Sequence, residues 1–397
     1  MSSQNPVFIP GPTNIPERIR KACDIPTMDH RSAAFGKMFR PAIAGVRRVL
    51  EMGEGGQVFL FPATGTAGWE AAISNTLSAG DRVLAARFGM FSHRWIDLCQ
   101  RHALDVQVIE TPWGQGAPLA EIEAALRADT GHTIRAVLAT HNETATGVRS
   151  DIAGIRRALD RAGHPAMLFV DGVSSIGCMP FRMAAWGVDI AVAGSQKGFM
   201  LPAGLAILGV SDRALAAMET AGLQRCFFDF RDMIRTNAAG GYPYTPAVGL
   251  IAGLACAIEM LEEEGLDAVY ARHARLAEGV RRAVAAWGLK PCAASPELYS
   301  ETVTAVVVPE GCDGTALVKL AAEKYDVAFG VGLGEVAGKV FRIGHLGMLT
   351  DVMVLGGLAT VEMCMADLGW PVRLGSGVAA AQEFYRGSVA GEARAAA

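Results

Sequence analysis

Asp189-Ile-Ala-Val-Ala-Gly-Ser-Gln-Lys197 is the stretch that decides the fold. The apolar run from Ile190 to Ala193 reads as a short strand buried on both faces, and the glycine and polar residues behind it read as that strand's end. Working outward, similar runs recur: Gln57-Val-Phe-Leu-Phe61, Arg82-Val-Leu-Ala85, Asp105-Val-Gln-Val-Ile-Glu110, Ile134-Arg-Ala-Val-Leu138, Met167-Leu-Phe-Val170 and Leu205-Ala-Ile-Leu-Gly209. Between them, residues 69–77, 92–102 and 152–162 carry apolar side chains at helical spacing. The alternation predicts crossover units on a mostly parallel sheet, an α/β fold whose ligands lie at the C-terminal ends of the strands.

Beyond Gly241-Tyr-Pro-Tyr-Thr-Pro246, two helical stretches cover residues 247–264 and 266–287. A strand over 302–308, a helix over 314–325 and a strand over 340–343 then predict a small α+β C-terminal unit. The expected division is an N-terminal segment (1–20), a large domain (21–275) and a small C-terminal domain (276–397). The tail from Gly375 is rich in Ala and Gly and is expected to fray in part. No internal repeat is visible.

A chain of 397 residues is long enough for a large domain and a smaller one. With 51% hydrophobic and 19% charged residues, it suits an α/β protein with buried parallel strands better than a helical bundle or a disordered chain. A formal charge of -4 and a pI near 6.1 give no electrostatic case for nucleic acid or an anionic membrane, so a small metabolite is the expected partner. Cys23, Cys99, Cys178, Cys226, Cys256, Cys292, Cys312 and Cys364 show no CxxC pairing and no interleaved His, which argues against zinc and against a disulfide framework. No metal site is expected. The N-terminus lacks a basic patch followed by an apolar run, and no uninterrupted apolar stretch could span a bilayer, so the expected location is the cytoplasm.

Lys197 follows one strand and Asp171 ends another, in Val170-Asp-Gly172. A lysine and an acid on successive buried strands can hold pyridoxal 5'-phosphate between them: the amine joins the aldehyde, and the carboxylate keeps the pyridine nitrogen protonated so that the ring accepts electrons. The phosphate needs its own site, and Phe61-Pro-Ala-Thr-Gly-Thr-Ala-Gly68 offers one. Backbone N–H groups around Gly65 and the hydroxyls of Thr64 and Thr66 open a helix there. Taken singly, the loop could be an N-cap, Asp171 a turn residue and Lys197 a solvated loop lysine. Their order, each behind a strand in one alternating domain, favours one site over three coincidences.

Further motifs extend the pattern: His141-Asn-Glu-Thr-Ala-Thr-Gly147, Gly194-Ser-Gln-Lys-Gly-Phe-Met-Leu-Pro-Ala-Gly204, Tyr242-Pro-Tyr-Thr-Pro246 and Phe341-Arg-Ile-Gly-His-Leu-Gly347. Together they resemble the class V pyridoxal-phosphate aminotransferases of the serine/alanine:glyoxylate group, from Pro10-Gly-Pro-Thr-Asn14 to about Leu368. The resemblance implies pyridoxal phosphate fold type I and a homodimer, or higher homo-oligomer, with shared active sites. Segments such as Phe88-Gly-Met-Phe-Ser-His-Arg-Trp95 and Gly375-Ser-Gly-Val-Ala-Ala-Ala-Gln382 are more similar to members using L-aspartate as donor than to those using serine. Ala67, Ala33-Ala34 and Val331 depart from the family pattern near the phosphate loop and possible substrate contacts.

By matching motif, the resemblance implies that Phe91 stacks on the pyridine ring, Val173 packs its other face, Thr144 bonds on the ring-hydroxyl side and Gln196 lies beside the phosphate. It also implies that Tyr242 and Thr245 reach the phosphate of a partner subunit. Without it, Phe91 and Val173 read as core and Thr245 as a helix cap. Arg342 resembles the clamp for the substrate α-carboxylate, a task suited to a guanidinium fork; the alternative is a surface salt bridge.

The expected reaction moves an amino group from an L-amino acid to glyoxylate, giving glycine and a 2-oxo acid. Lys197 is covalent anchor and proton carrier. L-aspartate is the leading donor and L-serine the alternative. Aspartate's second carboxylate asks for another cation, for which Arg31, Arg94, Arg235 and His345 are candidates. Cysteine desulfuration is disfavoured because no Cys lies between Tyr325 and Arg342, although Cys312 stays open. A non-catalytic pyridoxal-phosphate-binding regulator would want a DNA-binding module, and no helix-turn-helix or basic stretch is visible. Gly330-Val-Gly-Leu-Gly334 lacks the strand, helix and downstream acid that would make it a dinucleotide loop.

Overall fold

A computed structural model describes residues 5–395; residues 1–4, where the expected N-terminal segment begins, and 396–397 lie outside the described residues. The large sheet is built from β1 (Gln57–Phe61), β2 (Arg82–Arg87), β3 (Asp105–Glu110), β4 (Ile134–Thr140), β7 (Met167–Asp171), β8 (Ile190–Gly194) and β9 (Ala206–Val210), in the order β1-β9-β8-β7-β4-β2-β3. A two-strand ladder, β5 (Asn142–Glu143) with β6 (Val148–Arg149), stands beyond the end of β4. Strands β7, β8 and β9 are buried along their whole length, as expected for apolar runs covered on both faces.

Strands β3, β2, β4, β7 and β8 are mutually parallel, whereas β9 runs antiparallel to both β8 and β1. The reason is local. Residues 195–205 join β8 to β9 without a helix, and a direct return reverses direction. Ser195 N–H closes this loop on the Leu205 carbonyl (3.0 Å), so Lys197 is carried on a tied turn.

The helix Gly65–Thr76 follows β1 and lies close against the sheet. A Cβ on Gly68 would come within 2.6 Å of Val192 Cγ1, so glycine there permits the approach. The helix Ile152–Ala162 has the extent expected from its spacing, begun by Asp151 accepting from Gly154 N–H (2.7 Å) and ended by left-handed Gly163.

A second sheet contains β10 (Lys290–Pro291), β11 (Val303–Val307), β12 (Gly330–Val331) and β13 (Val340–Gly344), in the order β10-β11-β13-β12, all antiparallel. The helix Leu266–Ala286 runs from one core to the other: Val269 and Tyr270 belong to the large core, Leu276 and Val280 to the second. The N-terminal segment also joins the second core. Phe8 stacks on Phe329 (5.6 Å), donates its N–H to Ala328 O and accepts from Gly344 N–H.

In the tail, residues Ser376–Ala395 form a helix, and residues 396–397 lie outside the described residues. Buried Tyr385 anchors it by donating its O–H to the Leu276 carbonyl (2.9 Å), and Arg275 stacks over the same ring. Tertiary packing thus overrides the Ala- and Gly-rich composition. Among the described residues, no helix is long and apolar enough to cross a membrane.

Candidate active site

A cavity of about 230 Å³ opens where β1, β2, β4, β7 and β8 end. Thr64, Gly65, Thr66, Phe91, Thr144, Asp171, Val173, Gln196 and Lys197 all line it, so the fold unites nearly every residue singled out from the sequence.

Asp171 is the last residue of β7 and is 5% exposed. Burial pushes its carboxyl up to about 7; the Val173 N–H, donated at 2.9 Å, opposes the shift, while the neighbouring Glu143 charge adds to it. Burial likewise pushes the Lys197 amine down to about 8, assisted by the Arg342 charge and opposed by Asp171. Its Nζ donates to the Pro10 carbonyl. A Cβ on Gly11 would fall 2.4 Å from Lys197 Cδ, so this left-handed glycine (φ 102°) lets the N-terminal segment cross the lysine.

Thr64 occupies the N-cap position of the helix Gly65–Thr76, yet its side chain makes no capping bond. The first helical N–H groups and two hydroxyls therefore face an opening at the positive end of the helix. The buried Gln196 Oε1 and Asn142 Oδ1 line the same cavity and have no hydrogen-bond partner among the described residues. Helix amides, orphaned polar atoms, a desolvated acid and a desolvated amine fit a phosphorylated pyridine aldehyde.

Arg342 lies on β13 and is 7% exposed. Its Nε donates to Val331 O (2.7 Å) and its Nη1 to Thr144 O (3.0 Å), which brings the second sheet against the cavity wall. Burial lowers the guanidinium to about 10, with Glu143 opposing. Neither bond is a surface salt bridge. Gly330 makes room for it, since a Cβ there would stand 3.2 Å from Arg342 Nε.

The contacts expected of Tyr242 and Thr245 lie across a subunit interface, and the two residues sit differently within their own chain. Tyr242 is buried, edge-on to Phe39 (6.3 Å), and its hydroxyl donates to the Leu60 carbonyl, so within its own chain it ties β1 to the helix Ala33–Val49. Thr245 is exposed and lines no part of the cavity; the N-cap of the next helix, Val248–Glu264, is Ala247, so Thr245 is not its cap either.

The candidate cations for a second carboxylate separate clearly. His345 is fully buried between Thr304 Oγ1 and the Glu301 carbonyl and pushed down to about 3, chiefly by desolvation, which removes it as a cation. Arg235 pairs with Asp232, Arg31 is exposed, and Arg94 lies 5.4 Å from the centroid of the Phe91 ring. Cys312 packs against the second core.

Sequence reading missed Gly11, Trp69, Asn142 and Ser174, which also line the cavity. For Asn142 and Ser174 the signal was present, because each is within three residues of an identified motif residue. Gly11 was assigned to a separate N-terminal segment.

Residues 21–341 match the model of the aminotransferase class-V family. The chain belongs to that family. It is 67% identical over 390 residues to an L-aspartate–glyoxylate aminotransferase from Paracoccus denitrificans, covering 98% of each chain. A serine–glyoxylate aminotransferase from Hyphomicrobium methylovorum is 53% identical, covering 96% of this chain and 94% of the relative. Among solved structures, the pyridoxamine–pyruvate aminotransferase of Mesorhizobium loti superposes with a TM-score of 0.90 at 28% identity, covering 98% and 99% of the two chains. This class V aminotransferase thus shares its overall architecture with solved aminotransferases, and its small sheet belongs to that architecture.

Proposed function

We propose that the protein transfers the amino group of L-aspartate to glyoxylate, giving oxaloacetate and glycine, with pyridoxal 5'-phosphate as cofactor. The observation that carries the chemistry is the convergence of Lys197 and Asp171, both desolvated, in one cavity at the strand ends. The choice of donor is supported by identity, 67% to the aspartate-named relative against 53% to the serine-named one.

Lys197 anchors the cofactor and, once its amine is free, carries the proton taken from the donor Cα. An amine pushed down to about 8 gives up and takes up protons near neutral pH. Asp171 keeps the pyridine nitrogen protonated, the Thr64–Thr66 turn receives the phosphate with Gln196 beside it, and Phe91, Val173 and Thr144 line the ring's place. When bound, the cofactor supplies an electron sink for the Cα carbanion. Arg342 orients the donor's α-carboxylate, for which Nη2 is the nitrogen without a protein bond among the described residues.

A homodimer and a cytoplasmic location belong to the same proposal; exposed Thr245 and the free cysteines support it. The test is a half-reaction. The yellow protein is mixed separately with L-aspartate and L-serine, bleaching of the visible band is timed, and glyoxylate is then added. Faster bleaching by aspartate, with glyoxylate restoring the band and yielding glycine, is expected. Preference for serine would transfer the enzyme to the second reading, and no change with either would sink both donors.

A further inference from the structure

Glu143 is fully buried beside the cavity, and the chemistry above does not use it. Its Oε2 accepts the backbone N–H groups of Phe91 and Ser92, each at 3.0 Å, and the Ser92 hydroxyl at 3.3 Å. Its Oε1 accepts the Ala145 N–H at 3.1 Å. These donors belong to two walls. Phe91 and Ser92 open the helix Met90–Arg101, whereas Ala145 follows Thr144, whose carbonyl accepts from Arg342.

The helix needs this help. Its N-cap is Gly89, which has no side chain to satisfy the first amides, so a carboxylate from β5 takes that place at the positive end of the dipole. Gly89 also provides the space: a Cβ there would lie 2.2 Å from both Cγ and Cδ of Glu143. The cost of burying the carboxylate is offset in part by these bonds, three of them from the backbone N–H groups of Phe91, Ser92 and Ala145 and one from the Ser92 hydroxyl.

We infer that Glu143 is a positioning residue that fixes the Phe91 wall against the Thr144–Arg342 wall and so sets the shape of the space that receives the pyridine ring. This rests on the pyridoxal-phosphate reading of the cavity. Glu143→Gln keeps the size of the side chain but turns one accepting oxygen into a donor facing backbone N–H groups. Gly89→Ala keeps the charge and displaces the carboxylate.

The test is a double-mutant cycle on pyridoxal phosphate affinity, measured by titrating cofactor-free protein and following its visible circular dichroism, with thermal unfolding as the check on folding. Glu143→Gln should weaken binding about tenfold or more in the native background but less than about twofold when Phe91 is already Ala, because the ring it positions is gone. Gly89→Ala should reproduce that pattern and takes over the cycle if the glutamine variant does not fold. Affinity unchanged in both variants, or lost equally in both backgrounds, would overturn the proposal while leaving the site reading intact. Failure of the unmutated protein to take up pyridoxal phosphate would sink the site reading, and this proposal with it.

Discussion

The large sheet has cavities at both ends of its strands, and two of those away from the chemistry are larger than the one where it lies. At the N-terminal ends, about 350 Å³ is lined by Thr76, Ser78, Asp81, His132, Arg135 and Arg213 among others. Its charges are solvated or paired: Asp81 faces Arg135 at 3.8 Å, with the arginine side chain 58% exposed, and Arg213 reaches Asp189. At the C-terminal ends, about 230 Å³ holds an acid and an amine that burial has driven toward neutrality, to about 7 and about 8. Volume alone does not mark a site. Water and partners quench the first cavity, whereas the second keeps polar groups dry and, in part, unpartnered, at a cost in stability that a purely structural cleft would not carry.

Removing the amine should break the second end altogether. Lys197→Ala is expected to lower glycine formation from glyoxylate by ~10³-fold or more, since anchor and proton carrier go together. Steady-state assay with L-aspartate decides it; undiminished turnover would reject the assignment.

Asp171→Asn should lower turnover by roughly 10²-fold by removing the charge that faces the pyridine nitrogen, while making the cofactor-free protein more stable. The sign follows from the raised acid. Its folded pKa of about 7 lies above the usual carboxylate value, so its contribution to stability is full below about 4 and is lost as pH rises through about 7. The asparagine variant should therefore gain on the order of 4 kcal/mol over the native chain at pH 8 and little at pH 4. Lys197 acts in the opposite sense: its lowered pKa makes the native chain's stability rise as pH climbs from about 8 toward 10.5. Thermal unfolding of cofactor-free protein across this range measures both. A gain for Asp171→Asn that is equal at both pH values would show the acid is not desolvated.

Arg342→Gln should sharpen the contrast at the substrate side by raising the donor KM ~10–100-fold, the loss expected when a charged clamp becomes neutral. An unchanged KM would mean that the guanidinium serves only the Val331 and Thr144 carbonyls it already holds.

How far this contrast was legible depends on the residue. The strands were readable because burial on both faces writes continuous apolar runs, and Asp171 and Lys197 were readable because they interrupt those runs at their ends. The helix Ala33–Val49 was not read, since Gly36, Pro41 and Gly45 weaken its propensity. Gly45 is there for packing: a Cβ would lie 2.4 Å from Ile258 Cγ2, a contact invisible along the chain. Glu143 was hidden for a similar reason, its partner amides at Phe91 and Ser92 lying more than fifty positions away. For Tyr242 the motif carried the expectation of a contact across subunits, while its packing on Phe39 and its hydroxyl bond to Leu60 were just as invisible along the chain.

The smallest expected effect tests the other half of the comparison. Arg135→Ala removes a half-exposed guanidinium whose ion pair with Asp81, at 3.8 Å, is worth less than about 1 kcal/mol because water screens it. It stands at the opposite end of β4 from Thr144, beyond the length of the sheet, so no bond links it to the cavity that contains Lys197. Turnover with L-aspartate should change less than about twofold, and the unfolding midpoint should barely move. If Arg135→Ala instead depressed turnover as Arg342→Gln is expected to, charge at the N-terminal ends would be felt through the sheet, and the two cavities would have to be treated as one coupled system.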